Sequence, residues 1–154
     1  SRRRELGPQQ LSNLAWALAK RTITDSPLLD AIASEALPKL AYFDAQNLSI
    51  TSWSWATLCV VHVPLLSSIA APSITKISHF KSKELNNIVW SYATLGVKDV
   101  PLLDAIAEAA LRRLSEFNPQ DIAITALSFA RLEVQDDPLM EALAAAAISR
   151  CSYF

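Results

Sequence analysis

Four basic side chains recur at intervals of 37 residues, and cations are the groups that bind phosphate most readily. If the fold aligned them along one edge, they would form a row of contacts to a nucleic-acid backbone. The alternative is that each lies in the last turn of a helix, where the helix dipole favours a cation by about 0.3–1 kcal/mol without any ligand. These residues are Lys39, Lys76, Arg113 and Arg150. Further basic candidates, Arg112, Lys81 and Lys83, lie in the same 37-residue segment as Arg113.

Three asparagines are the candidate contacts to bases. Asn13, Asn86 and Asn87 fall where the pattern predicts the early part of a helix, and the positions equivalent to them vary along the chain. Helical-repeat RNA binders read one base with two or three side chains per repeat, and an amide can donate to a base edge and accept from it. Ordinary surface variation would produce the same pattern, so both interpretations stay open.

Catalytic and metal chemistry have little support in the residues. Cys59 and His62 are three residues apart, but no second ligand pair completes a tetrahedral site, and both cysteines are expected to be reduced and structural. The Asp136–Asp137 pair adjoins Pro138 and is explained by helix capping. No phosphate-binding glycine loop or nucleophile elbow occurs. We therefore expect no enzyme, no metal, no cofactor and no small-molecule substrate.

The elements that position these side chains follow from the repeat. Several columns share the 37-residue period, and 51% hydrophobic residues with only two glycines favour long helices. We predict a single array over 1–154 with repeats at 6–42, 43–79, 80–116 and 117–153. Phe154 falls where each repeat opens, so we expect a fragment of a longer array. The columns that define the period are Leu11, Leu48, Leu85 and Ile122; Trp16, Trp53, Trp90 and Leu127; and Pro27, Pro64, Pro101 and Pro138.

Each repeat is predicted to be a helical hairpin. Asn118 followed by Pro119 is typical of a helix start, and the proline column begins the second helix with its φ angle already set. Pro38 and Pro72 should kink or shorten the second helix of their repeats. The prediction is an all-α, right-handed α-solenoid of four hairpins, about eight helices, with the Trp16 column and the Trp55 position in its core.

The second repeat carries no formal charge between Asp44 and Lys76. Its apolar run at 50–71 is long enough to suggest a membrane span. We prefer a hairpin, because the run matches the neighbouring repeats column by column and because His62 and Pro64 stand at the inter-helix connection. An uncharged surface of this kind usually marks a contact with another molecule. The residues expected to form that patch are Val60, Val61, His62 and Val63.

The segments QQLSNLAWALAK, ELNNIVWSYATLG and NPQDIAITALSFARL, each followed by a PLLDAIA-like helix, resemble the octotricopeptide and heptatricopeptide repeats of organellar proteins. The resemblance covers essentially the whole chain. It implies an α-solenoid that binds organellar RNA in gene expression or ribosome assembly, in mitochondria or plastids. The alternative is a structural subunit docked on a large organellar assembly, ribosomal or membrane-bound, through its second repeat. The expected partners are therefore organellar RNA, protein subunits of such an assembly, or both.

Overall fold

The computed structural model describes residues 5–151, and this range is built from helices with no strand. The all-α prediction is therefore confirmed, and none of the helices in the described range is long and apolar enough to cross a membrane. The described range also contains three 3-10 turns, at Leu37–Tyr42, Ile77–His79 and Leu114–Glu116. The helices are α1 Pro8–Lys20, α2 Ser26–Ala36, α3 Ala45–Thr57, α4 Val63–Thr75, α5 Ser82–Leu95, α6 Val100–Arg112, α7 Pro119–Arg131 and α8 Asp137–Cys151.

The odd-numbered helices begin with related caps, which are reciprocal in α3 and α7, while α1 and α5 have only the bond from the cap N–H to the side chain three residues later. In α7 the Asn118 side chain accepts from the backbone N–H of Asp121 at 2.7 Å, and the Asp121 carboxylate accepts from the backbone N–H of Asn118 at 3.0 Å. Such pairs satisfy N–H groups that have no partner inside the helix. The polar residue that accepts from the cap N–H is Gln10, Asn47, Glu84 or Asp121 in successive repeats.

The even-numbered helices begin with a side-chain cap two residues before the repeated proline. Asp25, Asp99 and Asp136 each accept from the backbone N–H three residues later, at 2.9–3.1 Å. In the second repeat His62 performs the same task through Nδ1, which accepts from Leu65 N–H at 3.1 Å. Because each cap orders the first turn, the sequence indicates where each even-numbered helix starts.

The two internal prolines have different effects. The helix α2 ends at Ala36, and Pro38 lies in the 3-10 turn that follows, so the prediction of a shortened helix is confirmed there. The helix α4 continues through Pro72 to Thr75 and, at 13 residues, is as long as α6. Pro72 therefore does not shorten its helix. Pro72 has no N–H for the Ser68 carbonyl one turn earlier, yet the helix continues for three more residues.

A left-handed residue follows every odd-numbered helix, at the same position in each repeat. Thr22, Cys59, Gly96 and Glu133 have φ of +50°, +56°, +69° and +54°. The N–H of the next residue then donates to a carbonyl five residues back, as Val97 does to Tyr92 at 2.9 Å. This is the Schellman arrangement, which glycine adopts without the steric cost that other residues carry.

Successive repeats pack in order along the chain. The helix α1 contacts α3, α3 contacts α5, and α5 contacts α7, while α4 contacts α6 and α6 contacts α8. The aromatic residues Phe43, Phe80 and Phe117 and the column of Leu18, Trp55, Tyr92 and Phe129 are buried between them. Trp55 is thus in the core as predicted. The right-handed sense, the exact unit boundaries and the length of the full array stay predictions.

Polar contacts also join neighbouring repeats. The Asn47 amide donates to the Ser12 hydroxyl at 3.2 Å, and the Thr125 hydroxyl donates to the Asn86 amide oxygen at 2.8 Å. Between the second and third repeats, the buried Tyr92 hydroxyl donates to the Leu66 carbonyl. Burial raises the pKa of Tyr92 well above its usual range, and the charge of Asp99 acts in the same direction.

The prediction that the Trp16 column lies in the core is wrong. Trp16 is 45% exposed and Leu127 is also exposed, while Trp53 and Trp90 are half-buried, with Trp53 packed against the edge of the core. The buried side of α1 centres on Leu11, Ala15 and Leu18. At about 100° per residue, Trp16 points well away from that side of the helix. We call Trp16, Trp53, Trp90 and Leu127 the aromatic row.

Candidate nucleic-acid interface

The four repeated basic side chains all bond to the backbone of their own hairpin. Each donates to the carbonyl oxygen 33 residues earlier, which belongs to the residue that precedes the cap of the odd-numbered helix. We call this contact the closing hydrogen bond, because it joins the end of the second helix to the start of the first. The pairs are Lys39 with Leu6 (2.8 Å), Lys76 with Phe43 (2.5 Å), Arg113 with Phe80 and Arg150 with Phe117.

Two of these cations are further engaged by carboxylates. The Lys39 ammonium donates to Glu35 at 3.1 Å and lies 3.6 Å from Glu5, and the hydrogen bond with Glu35 is the largest cause of its raised pKa. Arg113 also pairs with Glu116 at 2.9 Å. A cation that already bonds a carbonyl and a carboxylate has fewer donors for a phosphate. This column therefore has a structural role that neither sequence interpretation included.

The remaining basic candidates differ in availability. Arg112 is exposed and pairs with Glu108 one turn earlier on the same helix. Lys81 and Lys83 are exposed at the start of α5. Within the described residues, neither lysine is part of an ion pair, and the same is true of Lys20 at the end of α1. These three ammonium groups can meet an anion, and so can the exposed Lys98, Arg21 and Arg131, which form no ion pair among the described residues either.

The three asparagine candidates also differ in whether their side chains are accessible. Asn86 is buried between α5 and α7, where its amide nitrogen donates to the Ser82 carbonyl and its oxygen accepts from Thr125. Its side chain is therefore occupied by the protein and does not face a base. Asn13 is exposed and Asn87 is half-exposed, each three residues before a member of the aromatic row.

A cleft of about 470 Å³ crosses the exposed sides of α1, α3 and α5. We call it the lysine cleft. Within it the Lys20 ammonium lies 5.6 Å from the centroid of the Trp16 ring, which is within the range of a cation–π contact. The cleft combines aromatic faces, ammonium groups and amides in one place. Its lining residues are Trp16, Lys20, Gln46, Ser49, Ile50, Trp53, Lys81, Lys83, Glu84 and Asn87.

Sequence reasoning singled out Lys81, Lys83 and Asn87 but missed the tryptophans and Lys20 as site residues. A helical projection could have found them. At about 100° per residue, Gln9, Asn13, Trp16 and Lys20 fall within an arc of about 60°, on the side away from Leu11. A tryptophan among three polar residues on one arc indicates a contact surface rather than a core.

The expected partner patch is only partly a surface. Val61 and Val63 are both more than half exposed. Val60 is half-buried and packs against the core at the end of α3, and His62 is the cap of α4. The accessible apolar side chains therefore lie at 61 and 63, on the edge where α3 connects to α4.

Both cysteines are free and exposed. Cys59 lies at the left-handed end of α3, and Cys151 ends α8. Among the described residues, no group of three or more His, Cys, Asp or Glu side chains is arranged to hold a metal ion.

Successive helical hairpins that share a continuous core define the class of helical-repeat proteins. A comparison with family models gives the particular family. The chain belongs to the RESC6 family, described as RNA-editing substrate-binding complex 6 protein, and the match covers residues 1–154. The family is thus that of a component of an RNA-editing substrate-binding complex. A comparison with curated proteins gives no match.

The family match corrects the resemblance drawn from the sequence. The chain belongs to the RESC6 family and not to an octotricopeptide or heptatricopeptide repeat family. Of the motifs behind that resemblance, the capped helix start and the Pro-Leu-Leu start follow from building a helical hairpin and do not identify a family. RNA-editing complexes of this type are mitochondrial, which is consistent with a mitochondrion and gives no support to a plastid.

Proposed function

We propose that this chain is a non-enzymatic, mitochondrial RNA-binding module of an RNA-editing substrate-binding complex, and that RNA lies in the lysine cleft. The observation that supports it best is the set of three lysines without an ion pair, Lys20, Lys81 and Lys83, beside two accessible tryptophans. Family membership supplies the RNA-related context.

The charge distribution favours this location. The whole chain has a net charge of -1, so attraction to RNA must come from local clusters. The residues at 117–153 contain five acidic and two basic side chains, a net -3, whereas the cleft lies on α1, α3 and α5. Ammonium groups supply the salt-dependent part of nucleic-acid affinity. In this proposal the basic column closes the hairpins and does not contact RNA.

Removing the three cleft charges tests the proposal. The combined variant Lys20→Gln, Lys81→Gln, Lys83→Gln should bind a single-stranded RNA more weakly. The slope of log affinity against log salt should fall by about 0.7 for each phosphate contact that is lost, so by up to about 2. Fluorescence anisotropy at several salt concentrations measures both quantities.

The matched control is Lys98→Gln, an exposed lysine in the connection between α5 and α6. Its RNA affinity and salt slope should equal those of the parent chain. If the triple variant also keeps the parent affinity and slope, RNA does not lie in the lysine cleft and the proposal fails.

A second candidate function is docking of another subunit of the complex. It is favoured by the exposed Val61 and Val63 at the edge of the uncharged second repeat. The variant Val61→Glu with Val63→Glu should fold and bind RNA normally but no longer sediment with the native complex. Val100→Glu, at the position equivalent to Val63 in the next repeat, is the control and should still sediment with the complex.

A further inference from the structure

The aromatic row has a spacing that constrains its ligand. Trp16 and Trp53 line the same cleft on two helices in direct contact, and Trp90 holds the equivalent position on α5, which packs against α3. Packed helices lie about 8–10 Å apart, so adjacent members of the row are separated by about that distance. Two flat aromatic side chains from neighbouring repeats thus line one cleft, and the half-buried Trp90 holds the equivalent position in the third repeat, outside that lining.

Stacked nucleotides do not fit this spacing. Bases in a duplex rise by about 3.4 Å per nucleotide, which is less than half of the separation between neighbouring tryptophans. Two stacked bases in sequence cannot therefore each lie on a different tryptophan. A strand that uses two or three of these rings must be extended, with its bases unstacked from one another and unpaired from any complement.

We infer that the ligand of the lysine cleft is unpaired RNA, whose separated bases stack on Trp16, Trp53 and Trp90 as the strand crosses the three helices. This inference rests on the proposed function and specifies its substrate class. Exposed π faces accept any base, so the row binds single strands with little sequence preference. The Lys20 ammonium lies beside the Trp16 ring, Lys81 and Lys83 line the same cleft, and together they neutralise the strand's phosphates.

Side chains one turn before each tryptophan would then adjust the preference at each step. Residues three apart on a helix are neighbours on its surface. Asn13 precedes Trp16 and Asn87 precedes Trp90, whereas Ile50 precedes Trp53. The first and third positions can form hydrogen bonds with a base edge, and the second offers only apolar contact.

The fold itself supplies a substitution for the test. Leucine occupies the row in the fourth repeat, where Leu127 is exposed, so the position accepts leucine within this fold. The variants Trp16→Leu and Trp53→Leu should each lower the affinity for an unstructured RNA of about 12 nucleotides, within the site sizes of single-strand binders, by about fivefold or more. A duplex of the same sequence should bind more weakly and respond little to either variant.

Tryptophan fluorescence gives a second readout. Bound RNA should quench the parent chain. It should not quench the variant with all three row tryptophans changed to leucine, since the remaining Trp55 is fully buried. The matched control is Tyr42→Leu, an aromatic side chain that is 79% exposed and lies outside the row. It should leave affinity unchanged.

The outcomes are distinguishable. If RNA binding depends on the three lysines, but the tryptophan variants bind normally or the duplex binds equally well, the inference of unpaired, stacked RNA is overturned and the proposed function stands. If no RNA binds to the parent chain at any salt concentration, both are overturned, and the aromatic row is a contact surface for protein.

Discussion

The closing hydrogen bond makes a prediction that separates the structural role of the basic column from an RNA-binding one. We expect Arg113→Met to destabilise the chain and to leave RNA binding unchanged. Methionine keeps much of the apolar stem but removes the donors to the Phe80 carbonyl and to Glu116. The carbonyl then loses its guanidinium partner, and the end of α6 is no longer joined to the start of α5.

The magnitude follows from the environment of the guanidinium. A hydrogen bond from a charged donor contributes about 1.5–3 kcal/mol, and an exposed ion pair about 0.2–1 kcal/mol. The Arg113 side chain is 24% exposed, so solvent replaces part of what is lost. We expect a loss of about 1–2 kcal/mol in the free energy of unfolding, or roughly 2–4 °C in Tm per kcal/mol for a chain of this size.

The neighbouring arginine provides the control. Arg112 is 74% exposed and its ion pair with Glu108 lies on the surface, so Arg112→Met should cost about 0.5 kcal/mol or less. Urea unfolding followed by circular dichroism measures both variants, and hydrogen exchange locates the loss at the start of α5. Equal stability of the two variants would refute the structural role. A weakened RNA affinity in folded Arg113→Met would restore the phosphate-contact interpretation.

Two further predictions concern the backbone and the core. Gly96 has φ of +69° with no atom close to a new Cβ, so Gly96→Ala should lower the free energy of unfolding by about 1 kcal/mol through backbone strain alone. Thr22→Gly, at the equivalent left-handed position, should raise it by about 0.5–1 kcal/mol. Thermal unfolding of the two variants tests these opposite signs. Tyr92→Phe removes the buried bond to the Leu66 carbonyl and should cost about 1–2 kcal/mol. Because the folded-state pKa of Tyr92 is raised above its usual 10.0, the parent chain should lose stability as the pH rises above about 10, and the phenylalanine variant should lose less of it over that range in parallel urea titrations.

Local rules accounted for most helix starts. Caps such as Asn118 and prolines such as Pro101 act within one turn, so their effect can be read without knowing what packs against the helix. The helix ends are harder to predict from the sequence. Only Gly96 signals a left-handed residue, yet Thr22 and Cys59 adopt the same conformation, because the chain must turn at the same place in every hairpin.

The site was less predictable, for a reason visible in one helix. Trp53 and Trp55 are both tryptophans in recurring columns, but Trp55 is fully buried and Trp53 lies at the edge of the cleft. A period shows which positions are equivalent and does not show which side of the helix meets the neighbouring repeat. The role of Lys39 was hidden for a similar reason, since its carbonyl partner is 33 residues away.

The polar contacts between repeats bear on how an array of similar units assembles in the right order. Hairpins that share a core pattern can pair with the wrong neighbour during folding, a recognised failure of repeat proteins. Asn47 meets Ser12 at the first junction, Tyr92 meets the Leu66 carbonyl at the second, and Thr125 meets Asn86 at the third. A misplaced hairpin would bury one of these groups without its partner. Each junction thus identifies its own neighbour, and the order of the hairpins is encoded in a few hydroxyl and amide groups rather than in the leucines they share.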